Sequence, residues 1–422
     1  MTSMPERLTR RESLARMSAS ALGMAFPACA SLDSGRRREP KSVAAIITWY
    51  IPGSHADVLI GKILEGWKQD GGLGPDLKLA SMYIDQFPKA DLARKLSKKY
   101  GVPIFDTIEE ALTVGTQGIP VDAVISVGEH GDYPWNEKDQ HLYPRRRFWK
   151  EITDTFEKYG RVVPVFNDKH FGPEWDDVVW MYERGKEMNI PMMAGSSQPL
   201  SFRTPNVTVP MGCEIEAAVG VGYSGLDIYG FHTLEVFQAF VERRSGAETG
   251  VKWVQWFGPD KMWDVVDSGV VRRDLLEAAL EVIPKDERRH TFRELRETVG
   301  DSVGLFLFEY NDGLLGAVFM LARHAVRIGL AVQVRGQSKP VATFTHERVK
   351  PRHPHFAYLL KAIEQMVHTG APAYPVERTY LTSGILDRVL TSRFEGGKRL
   401  DTPELAIPYT PVDYPWAPLP KL

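Results

Sequence analysis

The sequence predicts an α/β fold, with a Rossmann-like doubly wound parallel sheet followed by an α+β domain that has a largely antiparallel open sheet. From residue 43 to about residue 200, apolar runs alternate with helical periods, which is typical of parallel strands covered by helices. After residue 200, glycine-rich turns and longer apolar runs follow one another, which favours antiparallel strands. With 422 residues, the chain is long enough for both domains.

In the first predicted domain, residues 43–200, each apolar run has the length of a buried strand. These runs are residues 43–49, 77–84, 103–105, 123–127, 162–166 and 192–194. Helical spacing of apolar residues separates them, most clearly over residues 145–159 and 175–188.

The second predicted domain, residues 201–405, combines one long helix with several strands. The helix is predicted over residues 232–244, and the strands over residues 304–310, 314–321 and 325–334. Residues 406–422 are rich in proline, which predicts an extended tail.

The N-terminus has the pattern of a twin-arginine export signal over residues 1–30, followed by a linker over residues 31–42. Arg10 and Arg11 precede an apolar run that ends in Ala28-Cys29-Ala30, a small-residue cleavage pattern. This predicts a periplasmic or secreted protein. A frayed basic N-terminus is the alternative for the segment, and lipidation is the alternative for Cys29.

Composition excludes several classes of function. The net charge is -2 and basic residues do not alternate with aromatics, so no nucleic-acid partner is expected. After the export signal, no run reaches the roughly 20 apolar residues of a membrane span. Small-molecule chemistry is the remaining expectation.

Three stretches resemble the glucose–fructose oxidoreductase, inositol dehydrogenase and MocA (Gfo/Idh/MocA) family. They are LARKLSKKYGVPIFDTIEEAL (92–112), VDAVISV (121–127) and PVERTYLTSGILDRVLTSRFEGGKRLDTPEL (375–405). Their order and spacing extend the resemblance over residues 43–405. It implies NAD or NADP as cofactor, a sugar or cyclitol as substrate, and a homo-oligomer formed through the open sheet.

Asn167-Asp168-Lys169-His170 is similar to the Glu-Lys-Pro signature of that family. The resemblance implies that Lys169 protonates or polarises the substrate hydroxyl, that Asp168 lies beside the cofactor and that His170 contacts the substrate. Because proline fixes the backbone angle φ, its replacement by His170 leaves the loop conformation open. The alternative is a solvated surface lysine.

GLDIYGFHTLE (225–235) is similar to the second signature of the family. The resemblance implies that His232 is the general base and that Asp227 assists it, although Asp227 lies one residue farther away than the family pattern expects. His232 and Glu235 share a helix face, so Glu235 would orient the imidazole or contact the ligand. The alternative is a buried structural histidine.

The corner after the first strand, TWYIPGSH (48–55), has Gly53 as its only glycine. A dinucleotide fingerprint needs three glycines for the turn, the pyrophosphate and the helix packing. Trp49 and Tyr50 add bulk there, but Ser54, His55 and the helix start could still hold an anion. Asp85, at the end of the second strand, favours NAD over NADP, although a plain loop aspartate is the alternative.

The loop of residues 128–147 lies at the edge where open α/β sheets bind ligands. It supplies Glu129, predicted to contact the cofactor, and His130, Tyr133 and Arg147, predicted to contact the substrate. Imidazole and carboxylate groups bind Zn²⁺ or Mn²⁺, so a metal site is an alternative for Glu129, His130, His170, His232 and Glu235. No compact ligand spacing supports one, and none is predicted.

Two functions follow from these observations. The first is an exported NAD(P)-dependent oxidoreductase that acts on a sugar or cyclitol through Lys169 and His232. The second is a Rossmann-framed protein that binds no dinucleotide. It is either a carbohydrate hydrolase or lyase, with or without a metal ion, or a carbohydrate-binding module. The resemblance over residues 43–405 makes the oxidoreductase the prediction, and the bulky corner and the acid- and histidine-rich loop support the alternative.

Overall fold

Six parallel strands form the first sheet of the protein, seen in a computed structural model that describes residues 38–288, 292–297, 299–322, 324 and 326–419. The strands are β1 (Lys41–Ile47), β2 (Leu77–Ile84), β3 (Ile104–Phe105), β4 (Ala123–Val127), β5 (Val165–Asp168) and β6 (Met192–Gly195). Their order in the sheet is β3-β2-β1-β4-β5-β6, which is the Rossmann order. The predicted export signal lies outside the described residues.

Helices cover both faces of this sheet, because its strands are apolar on both sides. On β1, Ala44 and Ile46 face one core cluster, while Val43, Ala45 and Ile47 face the other. The helices between the strands are α1 (His55–Glu65), α2 (Ala93–Tyr100), α3 (Ile108–Thr113), α4 (Arg145–Tyr159) and α5 (Trp175–Glu187).

Eight strands form the second sheet. They are β7 (Phe202–Thr204), β8 (Ile215–Gly222), β9 (Val251–Phe257), β10 (Val303–Tyr310), β11 (Leu315–Leu321), β12 (Ile328–Val334), β13 (Val341–His346) and β14 (Leu400–Asp401). Their order is β14-β9-β10-β11-β8-β12-β13-β7. All neighbours are antiparallel except β8 and β11. The predicted fold class is therefore confirmed.

The remaining helices join the two sheets or cover the second one. They are α6 (Ile228–Val241), α7 (Met262–Asp267), α8 (Arg273–Glu281), α9 (Phe292–Leu295), α10 (His355–Thr369) and α11 (Glu377–Phe394). Helix α6 is buried almost all round, as expected of a helix that is apolar on every face. Helix α10 packs against α1 in the core cluster of the first sheet.

Two features of the fold bear on function. The residues of both sheets share one apolar core cluster, so the ends of the first sheet and the helix α6 are held in a fixed relation. No helix within the described ranges has the length and hydrophobicity that a membrane span needs. The predicted domain boundaries at residues 200 and 405 stay a prediction.

Candidate active site

The candidate site lies at the carboxyl ends of the parallel strands, where the first sheet meets α6. Parallel strands end at one edge of a sheet, and ligands of open α/β folds bind there. Glu129 and His130 follow β4, Lys169 follows β5, Ser196 follows β6, and His232 lies on the first half of α6. All five side chains are largely withdrawn from solvent.

Glu129 is the centre of a buried ion cluster. Its Oε1 accepts a hydrogen bond from the Lys169 ammonium, and its Oε2 lies 2.9 Å from Nη2 of Arg145. All three side chains are at most 4% exposed. Burial alone would raise the pKa of Glu129, but Lys169, His55 and Arg145 hold it well below its ordinary value. The carboxylate is therefore ionised and fixes both cations.

The loop that carries Lys169 is held by the backbone and by His170. Lys169 adopts a left-handed conformation with φ of 61°, and its N–H donates to the carbonyl of Gly195 at 3.1 Å. His170 Nδ1 donates to the carbonyl of Gly172 at 2.8 Å, and Arg145 Nη1 lies 3.4 Å from its Nε2. The structure therefore gives His170 a supporting role rather than the predicted contact with substrate.

His55 and Asp168 are joined by a hydrogen bond of 2.7 Å between Nδ1 and Oδ2. His55 begins α1 and Asp168 ends β5, so the bond crosses the ends of β1 and β4. The His55 ring centre lies 6.0 Å from that of His130 and 6.5 Å from that of His232. Phe356 of α10 packs edge-on against His55 at 4.8 Å. Three imidazoles thus share the space in front of the strand ends.

His232 is positioned by Ser196. The hydroxyl oxygen of Ser196 lies 2.5 Å from His232 Nδ1 and also accepts the N–H of Gln198 at 3.0 Å. Burial, together with the charges of Lys169 and His55, holds the pKa of His232 well below its ordinary value. The imidazole is therefore neutral near pH 7, and Nε2 has no hydrogen-bond partner among the described residues. A neutral imidazole with one fixed nitrogen can accept a proton at the other.

Glu235 holds Ser196, the residue that positions His232. Its Oε1 accepts hydrogen bonds of 2.9 Å from the hydroxyls of Thr379 and Thr382, and its Oε2 accepts the N–H of Ser196 at 3.3 Å. The side chain is 1% exposed. Both oxygens are bound within the protein, so the structure assigns Glu235 to holding Ser196 instead of the predicted ligand contact.

Asp227 does not contact His232 among the hydrogen bonds of the described residues. Its Oδ2 accepts the backbone N–H of His141 at 3.0 Å, and its Oδ1 is buried without a partner. Burial raises the pKa of Asp227 to about 6, against the lowering effect of the His141 N–H and of Arg145. The predicted partner of His232 is therefore replaced by Ser196.

The first turn of α1 contains a buried carboxylate, that of Asp57. Ser54 caps the helix by accepting from the N–H of Asp57, as cap residues do. The N–H of Gly53 donates to Oδ2 of Asp57 at 2.8 Å, and Arg352 lies 3.6 Å from the same oxygen. Asp57 is 4% exposed. A buried carboxylate thus occupies the anion-binding position that a helix N-terminus offers.

The two aromatic residues of the corner point in different directions. Tyr50 is fully buried in the core under α1. The indole N–H of Trp49 donates to Oε1 of Gln86 at 2.8 Å, and Gln86 in turn bonds the backbone of Asp132. Trp49 and Gln86 therefore link the ends of β1 and β2 to the loop after β4.

Asp85 is bound by its neighbours on every side. Its carboxylate accepts hydrogen bonds of 2.6 Å from the hydroxyls of Tyr83 and Tyr133 and pairs with Arg147. Although burial alone would raise its pKa, these three partners lower it. Asp85, Tyr133 and Arg147 therefore form one network, and their predicted contacts with ribose and substrate stay predictions.

The residues of this crevice do not fit a dinucleotide as they are arranged. A pyrophosphate needs free backbone N–H groups at the first corner, but the Gly53 N–H is taken by Asp57. A nicotinamide needs space between the strand ends and α6, but His55 is bonded there to Asp168. A ribose needs an acceptor after β2, but Asp85 already accepts from Tyr83, Tyr133 and Arg147.

A metal site finds no support in the geometry. Within the described part of the chain, no group of three or more His, Cys, Asp or Glu side chains is arranged to hold an ion. His170 and Glu235, two of the residues considered for such a site, already have protein partners.

Of the three consecutive arginines 145–147, the sequence predicted Arg147 as a site residue and did not predict Arg145. Phe148, Trp149 and Ile152 are buried on α4, and they lie three, four and seven residues after Arg145. That spacing defines one helix face. The helical period therefore places Arg145, rather than Arg147, on the inward side next to Glu129.

Comparison with known proteins shows the fold. No protein-family model matches the chain, and no curated protein matches it. Among solved structures, GenD2 from gentamicin A biosynthesis, in complex with NAD, is 11% identical with a TM-score of 0.55 over 87% of this chain and 97% of that one. A probable dehydrogenase from Thermotoga maritima is 14% identical (TM-score 0.52, 86% and 99%). A myo-inositol dehydrogenase from Corynebacterium glutamicum is 11% identical (TM-score 0.53, 86% and 98%).

These three likenesses agree with the sequence resemblance to the Gfo/Idh/MocA family at the level of fold. The alignments cover 97 to 99% of the neighbouring chains, so both sheets and the connection between them are shared. At 11 to 14% identity, the likeness carries the architecture and leaves the chemistry to the residues of this chain.

Proposed function

We propose that the protein is an enzyme that carries out acid–base chemistry on a small carbohydrate, as a lyase or hydrolase, without a bound dinucleotide. The observation that carries this proposal is the hydrogen bond between His55 and Asp168. It joins two side chains to each other at the strand ends where a nicotinamide would lie, and Lys169 is close enough to His232 to lower its pKa.

In this proposal His232 is the general base. Its neutral imidazole is fixed through Ser196, and the adjacent Lys169 helps to keep it neutral. Lys169, held by Glu129, supplies a positive charge that stabilises an alkoxide or enolate as it forms. In elimination, His232 takes the proton next to a uronate carboxyl group, Lys169 stabilises the enolate, and the C–O bond breaks as the departing oxygen takes a proton from the Lys169 ammonium or from water. In hydrolysis, His232 takes a proton from the attacking water instead, and the departing oxygen is protonated in the same way.

The proposal is tested by turnover with no dinucleotide added. The purified chain is offered neutral sugars, uronates and cyclitol glycosides, and products are followed by mass spectrometry. Lys169→Ala and His232→Ala are expected to abolish the activity, while the exposed control Lys95→Ala keeps it. Turnover that appears only after NAD or NADP is added would overturn the proposal, and equal activity in all variants would remove the two assigned residues.

An NAD(P)-dependent oxidoreductase acting on a sugar or cyclitol is the second candidate. It is supported by the solved structures of similar fold, among them GenD2 with NAD and a myo-inositol dehydrogenase. It is also supported by Lys169 and His232, which stand at the positions that the family resemblance implies. Cofactor entry would require His55 to leave Asp168 and Asp57 to leave Gly53. The preference for NAD rests on Asp85, whose carboxylate is already bound.

Export and assembly remain proposals as well. We propose that the twin-arginine segment directs the protein to the periplasm or outside the cell, and that the protein forms a homo-oligomer. Replacing Arg10 and Arg11 by Lys should leave the precursor in the cytoplasm, as shown by cell fractionation. Light scattering on the purified chain measures the oligomeric state directly.

A further inference from the structure

A second cleft opens beside the ion cluster, at the start of α6. Its volume is about 410 Å³, within the usual range of small-molecule sites, ~300–1,000 Å³. Four segments line it: the loop after β4, the turn before α6, the residues before β10, and the end of α11. The lining includes the aromatic and charged residues Trp135, Asp139, Asp227, Tyr229, Asp301 and Arg393.

Trp135 provides an exposed aromatic surface in this cleft. The side chain is 55% exposed, so the ring is accessible to a ligand in the cleft. Its ring stacks on His141, with centroids 4.3 Å apart and planes 18° apart, so its orientation is fixed from behind. A flat, preoriented aromatic ring suits a ligand that has a flat apolar face.

Asp227 supplies an unused acceptor in the same cleft. The side chain is 4% exposed, and while Oδ2 accepts the His141 N–H, Oδ1 has no partner. A buried carboxylate oxygen without a donor costs free energy. His141 therefore holds both features, because its ring supports Trp135 and its N–H orients Asp227. The free oxygen points to a ligand that donates a hydrogen bond.

The charges of the cleft select against a phosphorylated ligand. Asp139 and Arg393 neutralise each other through an ion pair of 2.8 Å, which leaves Asp227 and Asp301 as the remaining charged groups among the lining residues. Two carboxylates repel an anion. The ligand is therefore neutral or cationic, and its hydroxyl groups are the donors that a carboxylate accepts.

We propose that this cleft binds an unphosphorylated sugar or cyclitol ring, stacked on Trp135 and donating a hydroxyl hydrogen bond to Oδ1 of Asp227. The proposal rests on the proposed function, because it gives the carbohydrate a binding subsite. Tyr229 lines the cleft and its ring centre lies 5.9 Å from that of His232. The ring therefore binds next to the acid–base pair, and a substrate of two or more rings spans both places.

Binding is measured apart from turnover by saturation-transfer NMR and calorimetry. The probes are methyl β-D-glucopyranoside, myo-inositol, cellobiose and glucosamine. We expect saturable binding of the neutral probes, with cellobiose the tightest. Trp135→Ala and Asp227→Asn should each weaken binding about tenfold, Trp135→Phe should retain most of it, and Phe87→Ala, an exposed aromatic outside the lining residues, should not change it.

Several outcomes would overturn the proposal. They are the absence of binding by every neutral probe, equal binding by wild type and Trp135→Ala in folded protein, and binding of glucosamine alone. The variant His232→Ala distinguishes a failure of this proposal from a failure of the proposed function. That variant should lose turnover and still bind cellobiose, so an inactive wild type that binds cellobiose sinks the function and leaves the cleft assignment standing.

Discussion

His55 Nδ1 donates a hydrogen bond of 2.7 Å to Oδ2 of Asp168, and this bond spans the carboxyl ends of two strands of the Rossmann sheet. It joins the helix that would hold phosphates to the strand that would lie beside a nicotinamide. Side chains of the chain itself therefore bond to one another at the strand ends where open α/β sheets bind ligands.

Glu129 should be essential to stability. Glu129→Gln leaves Lys169 and Arg145 buried beside a neutral amide, and an unpaired buried charge costs about 3–5 kcal/mol. We expect the free energy of unfolding, measured with urea, to fall by that amount. The matched control is Glu187→Gln at the exposed end of α5, where the change should be within about 0.5 kcal/mol. Equal stabilities would show that the cluster is not formed.

Ser196 should matter for rate rather than for substrate binding. Ser196→Ala removes the hydroxyl that fixes His232, so the imidazole loses its orientation and kcat should fall by up to about a hundredfold. KM should change little, because Ser196 is not expected to touch the substrate. The exposed Ser268→Ala serves as control. A variant that raises KM at constant kcat would instead place Ser196 in the binding site.

The rate of the wild type should be flat from pH 6 to pH 8. Burial and the nearby charges of Lys169 and His55 keep the pKa of His232 well below its ordinary value, and a base acts only above its pKa. Activity should therefore fall only at more acidic pH. Because the pKa of Asp227 is about 6 and Asp227 is proposed to bind the substrate, the profile is recorded for kcat at saturating substrate in wild type and in Asp227→Asn. A fall between pH 7 and pH 6 that persists in Asp227→Asn would mean that His232 is not the base.

Asp227 should make the protein less stable as the pH rises. Burial raises its pKa to about 6 in the folded state, above the ordinary 3.8. The folded state therefore binds the proton more tightly, and its contribution to stability is full below about pH 4 and is lost as the pH rises through 6. Asp227→Asn should remove this dependence, on the order of 3 kcal/mol.

The Asp227 prediction is checked by urea unfolding of both proteins between pH 4 and pH 7. The difference between them should favour the wild type, or be near zero, at pH 4 and favour the variant at pH 7. Because other buried groups titrate over the same range in both proteins, only this difference is diagnostic. A difference that does not depend on pH would contradict the raised pKa.

Asp57 should stabilise the start of α1. Asp57→Asn removes a buried negative charge from the helix N-terminus and from Arg352, which should lower the free energy of unfolding by about 1–2 kcal/mol. Asp176→Asn, at the exposed start of α5, should cost less than about 1 kcal/mol. If both variants behave alike in thermal unfolding, the carboxylate of Asp57 is not the internal anion of the corner.

Much of the fold could be predicted from the sequence, because strand and helix patterns are local. The strand Ala123–Val127 and the helix Arg145–Tyr159 have the predicted bounds. The helix predicted to begin at residue 232 begins at Ile228, because the preceding Gly225 and Asp227 resemble a loop and hide the first turn.

The candidate site was less predictable, because its contacts come from distant segments. Residue types and strand ends were enough to bring Glu129, Lys169 and His232 together. They could not reveal that Arg352, far along the chain, approaches Asp57. Nor could they reveal that a threonine pair on α11 would bind both sides of one Glu235 oxygen.

Mass spectrometry of the purified protein under non-denaturing conditions, with and without added NAD and NADP, tests the central claim most directly. If the crevice is closed by His55 and Asp168 and its phosphate position is filled by Asp57, the mass is that of the chain alone, and neither nucleotide adds to it. Stoichiometric NAD or NADP on the protein, whether copurified or added, would contradict the account.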